Sequence, residues 1–152
     1  MRTLFISTII LILSSNANCE LIIPNVSIEP SKVIEIQLTA LQENNYPYKN
    51  AGIEQTWEFA HPSNRAFTGP IQRFTQMMYA PSYAVMLDHK KHEILEVKLE
   101  ENIAYFFIEL TSIDGKIFGF KWTLEKVKEE GGFKDCWMTT AVSTPMPLST
   151  AS

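Results

Sequence analysis

The sequence has few cysteines, no clustered basic residues and no long apolar run, and each absence excludes a class of protein. Its two cysteines, Cys19 and Cys136, allow at most one internal disulfide rather than a disulfide scaffold. A formal net charge of −4 without a run of Lys or Arg argues against a nucleic-acid partner and against an anionic membrane surface. The longest apolar stretch, residues 4–13, is too short to span a bilayer, which needs about 20 residues.

Sequence motifs for catalysis and cofactor binding are also absent. The 152 residues contain no nucleophile elbow, phosphate-binding loop, zinc-ligand spacing or dinucleotide fingerprint. We therefore predict no cofactor and no metal site. What the chain does have is 45% hydrophobic and 20% charged residues, which is ordinary globular composition, and enough length for one domain with a core.

The first 17 residues resemble a secretory signal peptide. Arg2 supplies a positive start, residues 4–13 are apolar, and Ser15-Asn16-Ala17 offers small residues for cleavage. We expect a chain that begins near Asn18 and is secreted or periplasmic, without a membrane span after cleavage. A lipoprotein anchored at Cys19 and a retained signal anchor are the alternatives.

The expected boundaries are a signal peptide at 1–17, a leader at 18–29, one domain at 30–143 and a flexible tail at 144–152. Export to an oxidising compartment would permit a disulfide between Cys19 and Cys136, although a buried, unbridged Cys136 is equally compatible with the sequence. Asn25-Val26-Ser27 fits the N-glycosylation pattern.

Three helices are predicted in the first half of the domain. The first begins at Pro30 and Ser31 and carries an apolar stripe formed by Val33, Ile34, Leu38, Ala40 and Leu41. Its polar face is assigned to Lys32, Glu35, Gln37 and Gln42. A second helix follows Gly52 and ends at His61-Pro62, and a third begins at Thr68-Gly69-Pro70 and ends at Pro81.

From about Glu93 the apolar period changes from helical to alternating. Leu95, Val97 and Leu99 alternate with charged residues, which predicts a strand with one face in water. Residues 103–112 are apolar on both faces and predict a central strand, and Asp114-Gly115 predicts the hairpin that follows. Two more strands complete an α+β fold, in which N-terminal helices pack on one face of a curved, mainly four-stranded antiparallel sheet.

Several motifs resemble an uncharacterised domain family of bacteria and plant plastids. They are Ala-Gly-Ile-Glu at 51–54, Trp-Glu-Phe-Ala-His-Pro-Ser-Asn-Arg at 57–65, Thr-Gly-Pro at 68–70 and Cys-Trp-Met-Thr at 136–139. The resemblance covers residues 34–142 and implies no agreed activity. The order of elements is also similar to the cone fold of nuclear transport factor two, shared by SnoaL cyclases and ketosteroid isomerase. That likeness implies a pocket between helices and sheet but not a particular chemistry.

Aromatic and methionine side chains are the candidates for lining such a pocket, with core packing as the alternative. The predicted ligand-binding residues are Asn64, Arg65, Phe74, Met78, Tyr83, Phe106, Trp122 and Trp137. Asn64 and Arg65 could present donors to an anionic ligand, or they could simply form a structural corner.

Acid or base catalysis has three weak candidates: His61, Tyr79 and Glu109. Glu109 lies among aromatic neighbours on its strand, which favours a perturbed carboxylate. Asp88 and His89 are adjacent and point in opposite directions in an extended segment, so a catalytic dyad is not expected. His89 and His92 lack further ligands for a metal.

Three hypotheses follow from these observations. The first is an exported, non-enzymatic module that binds a small apolar or amphipathic molecule. The second is an interaction module that forms a homodimer through the open sheet face. The third is an isomerase, cyclase or hydrolase, which would require an ionisable group with a shifted pKa inside the pocket.

Overall fold

A computed structural model describes residues 20–148 of the chain. The predicted signal peptide, Cys19 and the last four residues lie outside this part. The helices precede the strands, and five antiparallel strands form a curved, unclosed sheet with helices on one face. The predicted α+β class is confirmed, whereas the cone shape stays a prediction.

The helical half contains one helix more than predicted. Its elements are α1 (Pro30–Gln42), α2 (Ala51–Glu58), α3 (Pro62–Thr68), α4 (Ile71–Tyr79) and a 3₁₀ turn at Ala84–Met86. The sequence predicts no helix between Pro62 and Thr68, where α3 lies. Pro62 is compatible with a helix start because its missing N–H would be unpaired there anyway. The His61 ring caps α3, since Nδ1 accepts the backbone N–H of Ser63 at 3.1 Å.

The strands are β1 (Lys91–Leu99), β2 (Ile103–Thr111), β3 (Ile117–Lys126), β4 (Trp137–Val142) and β5 (Met146–Leu148). The order β1-β2-β3-β4 places β2 in the interior of the sheet, as the doubly apolar sequence predicted. The Asp114-Gly115 turn joins β2 to β3, and Gly115 adopts the left-handed φ of 84° that favours glycine.

The predicted tail contains β5 at residues 146–148, and its flexibility stays a prediction. β5 pairs with the start of β3, on the edge whose other half is occupied by β4. Ser143 lies at the junction, and its backbone N–H donates to the Lys121 carbonyl at 2.9 Å. Because β5 is an edge strand, it needs N–H groups only on the side that faces β3, so it tolerates Pro147, which has no N–H.

The core lies between α1 and the inner sheet face. Four alternate residues of β2 and three of β3 are buried there: Ala104, Phe106, Ile108, Leu110, Phe120, Trp122 and Leu124. The outer face is less covered. Leu95 and Val97 of β1 are 54% and 67% exposed, although their alternation with charged residues suggested a buried side. A register shift between Glu96 and Lys98 contributes to this exposure, because it interrupts the alternation of inward and outward side chains on an edge strand.

Candidate functional site

A cavity of about 180 Å³ lies between the helices and the inner face of the sheet. Its apolar lining residues, called here the apolar wall, are rich in thioethers: Leu41, Phe74, Met77, Met78 and Met86. Its main polar lining residues, called here the polar wall, are uncharged: Gln37, Thr56, Asn64, Trp122 and Thr139. The lining thus combines apolar and hydrogen-bonding side chains.

Thr139 organises the polar wall. Its hydroxyl donates to Gln37 Oε1 at 2.7 Å and accepts the indole N–H of Trp122 at 3.0 Å. Gln37 in turn donates from Nε2 to the Thr56 carbonyl at 3.0 Å. Each of these buried polar groups therefore has a partner, as burial requires. These bonds join four different elements, α1, α2, β3 and β4.

The backbone of Thr139 also connects the helices to the sheet. Its N–H donates to the Phe59 carbonyl at 2.8 Å, and its carbonyl accepts the N–H of His61 at 2.9 Å. These bonds form a parallel bridge with Ala60, which lines the cavity. The bridge holds the end of α2 and the start of α3 against β4.

Asn64 and Tyr83 lie at the half-buried edge of the cavity. Asn64 donates from Nδ2 to the Thr139 carbonyl at 3.2 Å, and its Oδ1 lies 3.1 Å from the Thr68 hydroxyl. The Tyr83 hydroxyl donates to the Val142 carbonyl at 3.1 Å. Burial raises the pKa of the Tyr83 phenol, so this group stays neutral at physiological pH.

The structure brings several of the predicted ligand-binding residues together around the cavity: Asn64, Phe74, Met78, Tyr83 and Trp122. Two other predicted members are buried elsewhere. Phe106 belongs to the core on β2 but does not line the cavity, and Trp137 has the Lys126 ammonium 5.2 Å from its ring centroid.

Arg65 does not line the cavity, because its guanidinium is engaged at the end of α2. Nη2 donates to the carbonyls of Trp57 and Glu58 at 2.8 and 3.0 Å, and Nε donates to Ala60 at 3.0 Å. Its guanidinium carbon also lies 5.0 Å from the Trp57 ring centroid. This arrangement is the structural corner that we considered as the alternative to anion binding.

The three acid/base candidates also lie outside the cavity lining. His61 caps α3, and its pKa is lowered by burial. Tyr79 is exposed and donates its hydroxyl to Asn50 Oδ1. Glu109 lies on the outer sheet face, directly opposite Glu93 of β1. The structure therefore gathers none of them around a common space.

Gln37, Thr56 and Thr139 line the cavity but are not among the predicted ligand-binding residues. Gln37 was assigned to the wet face of the first helix, but it is buried. Its spacing of four from both Val33 and Leu41 placed it on the apolar stripe, and that spacing was the available signal. Nothing comparable marked Thr139, whose role depends on a partner 102 residues away.

Buried His89 and half-buried His92 form a separate pair. His89 Nε2 lies 2.7 Å from His92 Nδ1, and His89 Nδ1 lies 2.7 Å from the Met86 carbonyl. Burial lowers the pKa of His89 to about 4 and also lowers that of His92. Among residues 20–148 no three His, Cys, Asp or Glu side chains are grouped closely enough to hold a metal ion.

Cys136 is buried, and burial raises the pKa of its thiol. Because Cys19 lies outside the described residues, the disulfide stays a prediction. None of the helices within residues 20–148 has both the length and the apolar character needed to cross a bilayer.

Comparison of the chain with protein-family models, curated proteins and solved structures gives no match. The resemblances described above therefore stay predictions, and the site must be interpreted from its own geometry.

Proposed function

We propose that the protein is a non-enzymatic binding module whose cavity holds a small apolar or amphipathic molecule. The observation that carries this proposal is the pairing of a thioether-rich apolar wall with a fully hydrogen-bonded polar wall. Small-molecule sites are typically apolar spaces with a few fixed polar groups. The signal-peptide pattern of residues 1–17 supports export as part of the same proposal.

The residues that line the cavity favour binding over catalysis. Tyr83 is the one lining residue with an ionisable side chain in the described part of the chain. Its pKa is raised, so it is a poor general base near neutral pH. An enzyme of isomerase or hydrolase type would need an acid or base aimed into this space. His61 and Glu109 are placed elsewhere.

Native mass spectrometry of the secreted protein tests the proposal. We expect a non-covalent adduct of small mass that is lost on denaturation. Ala60→Leu would project a larger side chain into the cavity, since Ala60 is buried in its wall. Ala66→Leu makes the same change on the exposed side of α3 and is the matched control. An adduct that persists in Ala60→Leu while the fold is intact would contradict the proposal.

A homodimer through the outer sheet face is the second candidate, favoured by apolar side chains exposed on β1. Leu95, which pairs with Phe107, and Tyr105 of β2 are both exposed on this face. Contiguous exposed apolar residues commonly mark protein contacts. Light scattering after size-exclusion chromatography would compare the wild type with Leu95→Lys. Ile113→Lys, at an exposed residue of the β2–β3 turn, is the control. A wild-type monomer at all concentrations would exclude this candidate.

A further inference from the structure

We propose that the ligand is a neutral aromatic alcohol or phenol with a single ring, comparable in size to benzyl alcohol. This inference rests on the proposed binding function and narrows the ligand class by charge, size and hydrogen bonding.

The residues that line the cavity limit the charge of the ligand. The cavity lining contains no Asp, Glu, Lys, Arg or His. The nearby cation Arg65 already donates to three carbonyls, and His61 is engaged as a helix cap. An ion entering this space would lose its hydration without gaining a counter-ion, which costs several kcal/mol. The site therefore selects against carboxylates and ammonium ions.

The volume of the cavity limits the size of the ligand. The cavity measures about 180 Å³. An apolar protein cavity of about 150 Å³ is sufficient for benzene. The present space therefore suits one aromatic ring with one or two additional atoms, and a steroid-sized molecule would not fit inside it without rearrangement.

The apolar wall favours an aromatic ring over an aliphatic one. Met77, Met78 and Met86 bring three thioethers to the same wall, and Phe74 adds an aromatic ring. Sulfur–aromatic contacts contribute about 0.3–1.5 kcal/mol each beyond simple burial. Methionine side chains also adapt in shape, so the wall can close around a planar ligand.

Unused hydrogen-bonding capacity at the cavity edge specifies a hydroxyl. Asn64 has two amide protons, and one of them donates to the Thr139 carbonyl. Tyr83 donates its proton to Val142, which leaves its oxygen able to accept. A ligand hydroxyl can accept from Asn64 or donate to Tyr83, whereas a hydrocarbon can do neither.

Three probes with equal numbers of non-hydrogen atoms separate these requirements: benzyl alcohol, ethylbenzene and benzylammonium. Titrations of the ¹⁵N-labelled protein would follow the amide signals of Thr139, Val142 and Met86. We expect benzyl alcohol to bind about five-fold more tightly than ethylbenzene, which is the ratio that one net hydrogen bond provides. Benzylammonium should bind at least about ten-fold more weakly than benzyl alcohol, because its charge finds no partner.

Asn64→Leu should reduce the preference for benzyl alcohol over ethylbenzene to about one, and Tyr83→Phe should reduce it partly. The helix cap of His61 and its backbone bond to Thr139 remain in Asn64→Leu, so the corner retains other support. Gln72→Leu, on an exposed position of α4, is the control and should leave the preference unchanged.

The outcomes separate the ligand class from the binding function. Equal or tighter binding of ethylbenzene or benzylammonium by the wild type would overturn the inference while the binding function stands. Tighter binding of the larger probe 9-anthracenemethanol would overturn the size limit in the same way. No binding of any probe would overturn the inference, and the native adduct would then decide separately whether the cavity binds a ligand at all.

Discussion

Acid is expected to destabilise the protein through His89, whose side chain is only 2% exposed. Its Nδ1 faces the Met86 carbonyl, which can only accept, so Nδ1 carries the proton. Nε2 is then the acceptor for the Nδ1–H of His92. Protonation of His89 would put a charge on a buried ring and would turn Nε2 into a donor, which His92 can accept only after shifting its own proton to Nε2. The fold therefore favours neutral His89.

The direction and size of the effect follow from the pKa of His89, which burial lowers from 6.5 to about 4. Below pH 6.5 the His89 side chain is protonated in the unfolded chain but stays neutral in the native state. The free energy of unfolding therefore decreases as the pH falls, until about pH 4. Each pKa unit corresponds to about 1.4 kcal/mol. Allowing for partial solvent screening, we expect a loss of about 2–3 kcal/mol across this range. His92 and His61 add to it, since burial lowers their pKa as well.

Urea unfolding followed by tryptophan fluorescence would measure this loss at a series of pH values from 7 to 4. His89→Gln removes the titration, so the difference in unfolding free energy between variant and wild type should shrink or reverse as pH falls. The carboxylates titrate in both proteins and cancel in that difference. Parallel pH profiles for the two proteins would refute the reasoning. An NMR titration showing His89 protonated at pH 6 would refute it independently.

Two further substitutions test the packing described above, with urea midpoints as the measurement. Arg65→Lys should lower the free energy of unfolding by about 1–2 kcal/mol, because an ammonium cannot reproduce the guanidinium bonds to Trp57, Glu58 and Ala60. An unchanged midpoint would show that these bonds are dispensable for stability. Gly119→Ala should lower the free energy of unfolding by about 1–2 kcal/mol, since its Cβ would lie 2.5 Å from the Phe107 ring. Adding Phe107→Leu should recover part of that loss. A Gly119→Ala variant as stable as the wild type would indicate that the ring moves freely.

Local patterns in the sequence were sufficient for the elements that depend on local information. The i, i+4 stripe predicted α1, and the alternation of β2 and β3 with the Asp114-Gly115 turn predicted the central hairpin. The candidate pocket was predicted in part, because Phe74, Met78 and Trp122 lie on the inward faces of such elements.

Elements that depend on distant partners could not be predicted from local sequence patterns. Helix α3 has no buried residue of its own and depends on the His61 cap and on contacts with β4. Strand β5 is short and contains a proline, so only its pairing with β3 reveals it. The polar wall was missed because the environment of Gln37 is set by Thr139. Residue type alone suggested a solvated glutamine.

The bonds of Thr139 also bear on how the chain is made. The backbone bridge to Phe59 and His61 and the side-chain bond to Gln37 join helical segments to a strand that is synthesised up to 102 residues after them. Until β4 emerges, the ends of α2 and α3 lack these partners and the cavity lacks a wall. Such late, long-range contacts slow folding. We therefore expect a product truncated before β4 to lack this wall and to expose part of the apolar stripe of α1 to chaperones and proteases.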